Sequence, residues 1–328
     1  MTSMPKTAAQ GQPSDASLPL EGIRVIELGN YIAAPTAGRL MSDFGAEVIK
    51  IERPSTGDEL RNWRLYEGDT SMLYRTINRG KKSVELDLRT EEGQAAILAL
   101  VSCSDVLIEN FRPGTMDGWG LTADALTEAN PELVVARVSA FGQTGPLASQ
   151  PGFAAVAEAY GGLRDLVGES DRPPSRVGVS IGDSIAGLYA AFGVVMALFD
   201  RQTRQGQDTA PWRPNERHID VALHEAVFSM MESLLPDYSA HGRWRNRLPP
   251  GIPGSPGTPT DRRDRDERRA AARRHPDARW PPHLPCLAQQ VPPPAPQTAW
   301  WRWSSARVAP RSPQWRRRDR SAGRRRRD

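Results

Sequence analysis

The regular apolar pattern of this chain runs from Leu18 and stops at Gly242. Residues 243–328 hold 22 Arg, no Lys, 15 Pro, 7 Asp and Glu, and 6 of the 9 Trp. That stretch has a net charge of +15, so the overall +4 conceals −11 over residues 1–242. Only the first part has the composition to build a core. The last part cannot bury enough apolar surface to offset the entropy of ordering, and it is expected to be disordered. A nucleic-acid binder that is basic throughout is excluded, because the pI near 9.3 describes a tail on an acidic body. Interleaved Arg and Trp, as in Trp300, Trp301, Trp303 and Arg316–Arg318, leave open an RNA- or membrane-surface-binding arm.

Before Gly242 the pattern alternates between two periods. Ile23–Leu28, Glu47–Glu52, Ser83–Leu88, Asp105–Glu109 and Leu133–Val138 are β-branched runs bounded by turn residues, and they predict strands. Between them, Pro35–Phe44 predicts a helix closed by Gly45. Thr90 is placed to cap a helix running to Val101, and a short helix is expected near Thr122–Glu128. A longer helix begins near Asp183. In it Ile185, Leu188, Phe192, Val195 and Leu198 recur every three or four residues, while Ala186, Gly187, Ala190, Ala191 and Gly193 make the other side narrow enough for close backbone packing. Ile219–Leu235 predicts a strand-to-helix or wholly helical unit. The alternation implies an α/β fold with a doubly wound parallel sheet.

Several function classes lose their sequence support. The turn Gly29-Asn30-Tyr31-Ile32-Ala33-Ala34-Pro35 after the first strand lacks the G-x-G-x-x-G fingerprint, and no P-loop or G-x-S-x-G elbow occurs. All five His lie at or after His218, so a His-based triad within the α/β body requires the later segment to fold back. Cys103 and Cys286 are too few for a disulfide framework or a zinc site. The apolar stretch Leu188–Phe199 falls short of the roughly 20 residues that span a bilayer. With no signal-like core in residues 1–18, a cytoplasmic protein without membrane contact is expected.

Two groups of residues could carry chemistry. Asp183 follows glycines 178 and 182 and opens the long helix. It could be an N-cap, or a fixed carboxylate acting as a covalent nucleophile toward an activated acyl group. Arg53, Lys81, Lys82 and Arg112 sit after strands or in the connections that follow, where open α/β sheets bind ligands. They are either a phosphate-binding cluster or a solvated basic surface. Asn110-Phe111-Arg112-Pro113-Gly114 is a strand exit into a turn.

Five ordered stretches match one family: Leu20–Leu28, Phe44–Glu52, Asn78–Ser83, Glu109–Gly114 and Ile181–Ser184. From about Leu18 to Gly242 the chain resembles the class III CoA-transferases, the group of formyl-CoA transferase, carnitine CoA-transferase and alpha-methylacyl-CoA racemase. The resemblance implies CoA transfer from an acyl-CoA to a free carboxylic acid, with coenzyme A as part of the substrate and neither a permanently bound cofactor nor a metal. Asp183 would attack the donor thioester, and an aspartyl anhydride and an aspartyl-CoA thioester would follow. Ile32, Ala33, Arg53, Lys81, Asn110 and Phe111 fall where family members contact CoA, with Arg53 and Lys81 answering phosphates. Relatives often have an arginine near Gly118, which the Asp117-Gly118-Trp119-Gly120 stretch lacks. Racemase members carry a His near the position of Gly152, and its absence here favours transfer over a racemase-like reaction.

The resemblance also implies an interlocked homodimer, with no specific nucleic-acid partner. It divides the chain into a lead-in at 1–17, an α/β CoA-binding large domain at 18–205, a linker and the beginning of an incomplete small domain at 206–242, and the tail at 243–328. The tail and the insert Asp208–Arg217 are rich in residues with GC-rich codons, as an out-of-frame reading of a GC-rich gene would give. A chain so interrupted is expected to be weakly active or inactive, or to survive only as a CoA-binding product.

Overall fold

The computed structural model describes residues 18–169, 172–204 and 217–241. The lead-in at 1–17, the insert up to residue 216 and everything from 242 onward lie outside the described residues, as do the expectations made for them.

The chain begins with β1 (Arg24–Glu27), α1 (Ala33–Asp43) and β2 (Glu47–Glu52). A 3-10 turn at Glu59–Asn62, the antiparallel ribbon of β3 (Tyr66–Glu67) and β4 (Thr70–Ser71), and α2 (Met72–Ile77) lead to β5 (Lys82–Glu85). Then come α3 (Glu91–Val101), β6 (Val106–Glu109), α4 (Thr115–Gly118), α5 (Ala123–Ala129) and β7 (Val134–Ser139). After α6 (Ala154–Tyr160) and the long α7 (Ile181–Arg204), the described residues end with β8 (His218–Ala222), α8 (Leu223–Phe228) and α9 (Leu234–His241).

Local chemistry sets these limits. The Thr90 hydroxyl accepts from the Gly93 N–H at 3.1 Å, with Glu91 and Glu92 in the first turn of α3, where a helix dipole favours negative charge. Thr122 accepts from the Ala125 N–H at 3.2 Å and starts α5 in the same way. Gly45 takes the left-handed φ of 101° that ends α1.

Six strands form one sheet in the order β5-β2-β1-β6-β7-β8, and every neighbouring pair is parallel. The chain winds outward from β1 to β5, then returns to β6 on the other side of β1. This is the doubly wound sheet that the alternation implied. β8 is its sixth strand, so a domain boundary at 205 would cut through one sheet. The late segment therefore does fold back. It brings His218 into the sheet, and His224 to within 3.1 Å of the Ala140 carbonyl through Nδ1.

The two faces of the sheet carry separate cores. Val25, Val48, Val106, Ile108, Ala136 and Val138 pack against α1, α7 and α8. Ile26, Leu28, Leu107 and Val135 pack against Ile97 and Val101 of α3 and Leu126 of α5.

In α7 the small-residue side faces inward. Ala186, Gly187, Ala190, Ala191, Val194 and Ala197 are buried, whereas Leu188, Phe192 and Phe199 are 53%, 54% and 61% exposed. Of the larger apolar side chains that mark the helix in the sequence, Leu188, Phe192 and Val195 line its outer face, whereas Leu198 is buried and Ile185 packs against the core. Extended to 24 residues, α7 is long and apolar enough to cross a membrane by length and composition alone. That differs from the dozen-residue stretch read in the sequence. In the fold its inner face is packed against α1 and the sheet.

Candidate active site

The winding direction reverses between β1 and β6, and the carboxyl ends of strands at such a reversal are the general ligand position in open α/β sheets. Asn110, just beyond β6, ties the two exits together. Its Oδ1 accepts from the Asn30 N–H at 2.9 Å, and its Nδ2 donates to the Asn30 carbonyl at 2.8 Å. Tyr31 follows with a φ of 63°, a left-handed conformation costing on the order of 1–3 kcal/mol in a non-glycine residue. The surroundings hold it there. Its N–H donates to Asp58 Oδ1 at 3.1 Å, and its ring packs on Trp63 and Phe153 at centroid distances of 5.3 and 6.1 Å.

Beneath this loop lies a buried ionic cluster. Lys50 Nζ lies 3.0 Å from Glu27 Oε1 and 2.8 Å from Asp58 Oδ2, and donates to the Gly29 carbonyl at 2.6 Å. Lys81 Nζ lies 2.7 Å from Glu27 Oε2 and donates to the Pro35 carbonyl and Asn78 Oδ1, each at 2.8 Å. Two carboxylates and two ammoniums give no net charge, which is what a buried cluster requires. Burial alone would raise the Glu27 carboxyl, but Lys81 and Lys50 outweigh it and hold the group below its ordinary range. Burial would likewise lower the Lys50 ammonium, yet Glu27 and Asp58 hold it well above its ordinary range. Lys81 is lowered to about 8 by its burial, against the opposing attraction of Glu27. Gly38 makes room for the cluster, since a Cβ there would collide with the Glu27 carboxylate. A third buried carboxylate, Glu52, accepts from Arg61, the Tyr74 hydroxyl and the Ser83 hydroxyl, and braces the loop carrying Asp58.

Asp183 is the third residue of α7, not its cap. Among the described residues no hydrogen bond reaches its carboxyl. Burial raises that carboxyl to about 7; Arg176 opposes the rise and Glu158 adds to it. Neighbouring glycines explain its position. One turn later, Gly187 lies against the Ala33 carbonyl at the start of α1, and just before it Gly182 lies against the backbone of Ala154 in α6. Asp183 therefore stands within about a helical turn of the Ile32–Ala33 entrance to α1.

The other expected ligands divide. Ile32 and Ala33 are buried, only 6% and 3% exposed, so they offer a ligand backbone in preference to side chain. Arg53 is exposed after β2 and paired with Glu59. Lys81 and Lys82 stand at the amino end of β5, not beyond a strand's carboxyl end. Lys81 is bound into the ionic cluster, and Lys82 is paired with Glu47 at the surface. Phe111 turns its ring edge-on to Trp119 at 5.1 Å. Arg112 is exposed in the β6 exit.

Sequence reasoning missed Glu27, Lys50, Asp58, Glu158 and Arg176. For the first two a signal was present: an acidic and a basic residue within β-branched runs whose neighbours are all core. Among the described residues no cluster of three or more His, Cys, Asp or Glu is placed to hold a metal ion.

The chain is 46% identical over 231 residues to a succinyl-CoA–D-citramalate CoA-transferase of Chloroflexus aurantiacus, covering 70% of this chain and 55% of that protein. It is 37% identical over 232 residues to an acetyl-CoA:oxalate CoA-transferase of Acetobacter aceti, covering 70% and 57%. The crystal structure of a CAIB/BAIF family protein from Brucella suis superposes with a TM-score of 0.64 at 35% identity, over 71% of this chain and 60% of that one. The chain thus spans about half the length of the curated relatives it matches. The family model described as CoA-transferase family III matches residues 20–259, continuing past the point where the apolar pattern ends. The chain belongs to CoA-transferase family III.

Proposed function

We propose that this chain carries the nucleophile-bearing part of an enzyme that moves CoA from an acyl-CoA donor to a free carboxylate. The observation that carries the reading is Asp183, a carboxyl without a hydrogen-bond partner among the described residues, one helical turn from the loop at the sheet's switch point.

The reaction balances without an added proton, metal or redox partner. An Asp183 oxygen attacks the donor thioester carbonyl, the C–S bond breaks, and CoA leaves as its thiolate with a mixed anhydride formed. The thiolate then attacks the aspartyl carbon, freeing the donor acid as its carboxylate and leaving an aspartyl-CoA thioester. The acceptor carboxylate attacks that thioester and expels the thiolate again. Attack of the thiolate on the acceptor's acyl carbon yields the new acyl-CoA and regenerates Asp183. CoA enters as substrate, so the reading needs no permanently bound cofactor. Asn110 and the backbone at Ile32–Ala33 form the entrance, with Arg53 and Arg112 as exposed cations for phosphate groups. Lys81 supports the loop from beneath, and Phe111 lies beside it. A second copy of the chain is the proposed partner, and the outer face of α7 is the apolar surface available to it.

Relatives are named for succinyl-CoA with D-citramalate, L-malate or mesaconate, one for succinate and glutarate, and one for acetyl-CoA with oxalate. Dicarboxylic acids are therefore the proposed substrate class. The test is to incubate the chain with succinyl-CoA, trap with hydroxylamine or borohydride, and map the modified peptide by mass spectrometry. Label confined to Asp183 and lost in Asp183→Asn supports the reading. An unmodified Asp183 overturns it.

A further inference from the structure

Three charged residues stand in one row across neighbouring strands, towards the carboxyl end of the sheet. Glu109 ends β6, Arg137 is its register partner on β7, and Asp220 is the partner of Arg137 on β8. Register partners share a face, so the three side chains leave the sheet on the same side. Each outer carboxylate holds a strand exit. Glu109 Oε2 accepts from the Phe111 N–H at 2.6 Å, just after β6, and Asp220 Oδ2 accepts from the Gln143 N–H at 2.9 Å, after β7. Arg137 between them is mostly buried, yet its Nε and Nη2 donate to nothing. Glu109 Oε1 lies 3.7 Å from that Nε, about an ångström beyond the reach of a charge-assisted hydrogen bond.

Two buried donors left unsatisfied on one guanidinium edge are unfavourable, and that edge is shaped for the two oxygens of a carboxylate. Glu109 does not close on it because the Phe111 turn holds its other oxygen. The same turn belongs to the entrance described above, since Asn110 ties it to Asn30 after β1. A ligand oxygen that takes over the Phe111 N–H frees Glu109 to close on Arg137, and every donor then keeps or gains an acceptor. Resting on the CoA-transfer reading above, we propose that Glu109 is a positioning residue that acts as a two-position latch, on the Phe111 turn in the free chain and on Arg137 when CoA fills the entrance.

The exchange moves a proton. Burial raises the Glu109 carboxyl of the free chain to about 7; the Phe111 N–H and Arg137 oppose the rise, and Asp117 of α4 and Asp220 of β8 add to it. Pairing with a guanidinium favours the ionised form, so closing on Arg137 releases the proton to solvent.

The experiment is calorimetry of CoA binding to the full chain in buffers of different ionisation enthalpy, which counts released protons. Glu109→Gln keeps an acceptor for the Phe111 N–H but has no proton to lose, and Arg137→Met removes the second position. Circular dichroism and melting confirm that each variant folds. At pH 7 the parent should release about 0.5 proton per CoA more than either variant, and its affinity should rise about tenfold more between pH 6 and 8. Protons from CoA itself and from other groups cancel in that difference. A crystal structure with CoA bound reads the latch without a variant, with Glu109 and Arg137 at hydrogen-bond distance. Equal proton release in parent and Glu109→Gln, or a CoA complex with Glu109 still on the Phe111 N–H, overturns the latch and leaves CoA transfer intact. A chain that does not bind CoA overturns the latch, and with Asp183 also unmodified by succinyl-CoA the transfer reading goes too.

Discussion

Gly187 meets the carbonyl oxygen of Ala33: a Cβ built on the glycine would lie 2.6 Å from that oxygen and 2.8 Å from Thr36 Cβ. This contact fixes the height of α7 on α1, and with it the distance from Asp183 to the loop after β1. Gly187→Ala must push the helices apart, since the nearest atom is backbone and cannot rotate away. The expected cost is about 1–3 kcal/mol, read as a lower midpoint in urea unfolding. A midpoint equal to the parent's would mean that the two helices are less tightly coupled than this contact implies.

Lys50 is the cation between Glu27 and Asp58, and all three are buried. Lys50→Met leaves carboxylates in the interior with only Lys81 to balance them. Breaking such a cluster from one side costs about 3–5 kcal/mol. The expected outcome is a large fall in melting temperature or loss of soluble protein. A variant that melts with the parent contradicts the charge balance described above.

Asp183 makes the fold less stable at high pH. Its carboxyl is raised from 3.8 to about 7 by burial, so between those values the folded chain holds more protons than the unfolded one. Stability from this group therefore falls as pH rises from about 4 to 7, and the deficit persists above. Asp183→Asn should gain on the order of 1–3 kcal/mol at pH 8 and little at pH 4, while abolishing acylation. Urea unfolding at the two pH values checks this. An Asp183→Asn variant no more stable than the parent at pH 8 would argue that the carboxyl is well solvated.

The same group sets a pH profile. Only ionised Asp183 attacks a thioester, so trapping should rise with pH and level off, with a midpoint near 7. Glu158 raises that carboxyl and Arg176 opposes the rise, so Glu158→Gln should move the midpoint down and Arg176→Met should move it up. Shifts of the same sign in both variants would count against direct electrostatic contact.

Much of the fold was legible along the chain. Glu47–Glu52 and Glu91–Val101 match the expected limits, because β-branched alternation and a Thr90 cap are local signals that need no partner. The strand expected at Ser83–Leu88 is shifted to Lys82–Glu85, since edge pairing with β2 determines where hydrogen bonding ends. The outward turn of Leu188 and Phe192 was not legible. Periodicity reports that a helix has two faces, and packing decides which face a neighbour covers.

From the sequence alone follow the alternating α/β order, the end of the regular apolar pattern at Gly242, the family, and Asp183 as the residue to test. Those follow from near-neighbour spacing and from motifs of a few residues. Only the three-dimensional fold joins Glu27, Lys50, Asp58 and Lys81 in one neutral buried cluster, returns β8 to the sheet with two histidines nearby, and pairs Glu158 of α6 with Arg176 in the segment before α7. Each joins elements well separated in the chain. A charged residue in the sequence has no partner until the topology brings one within reach, and burial then makes that partner compulsory.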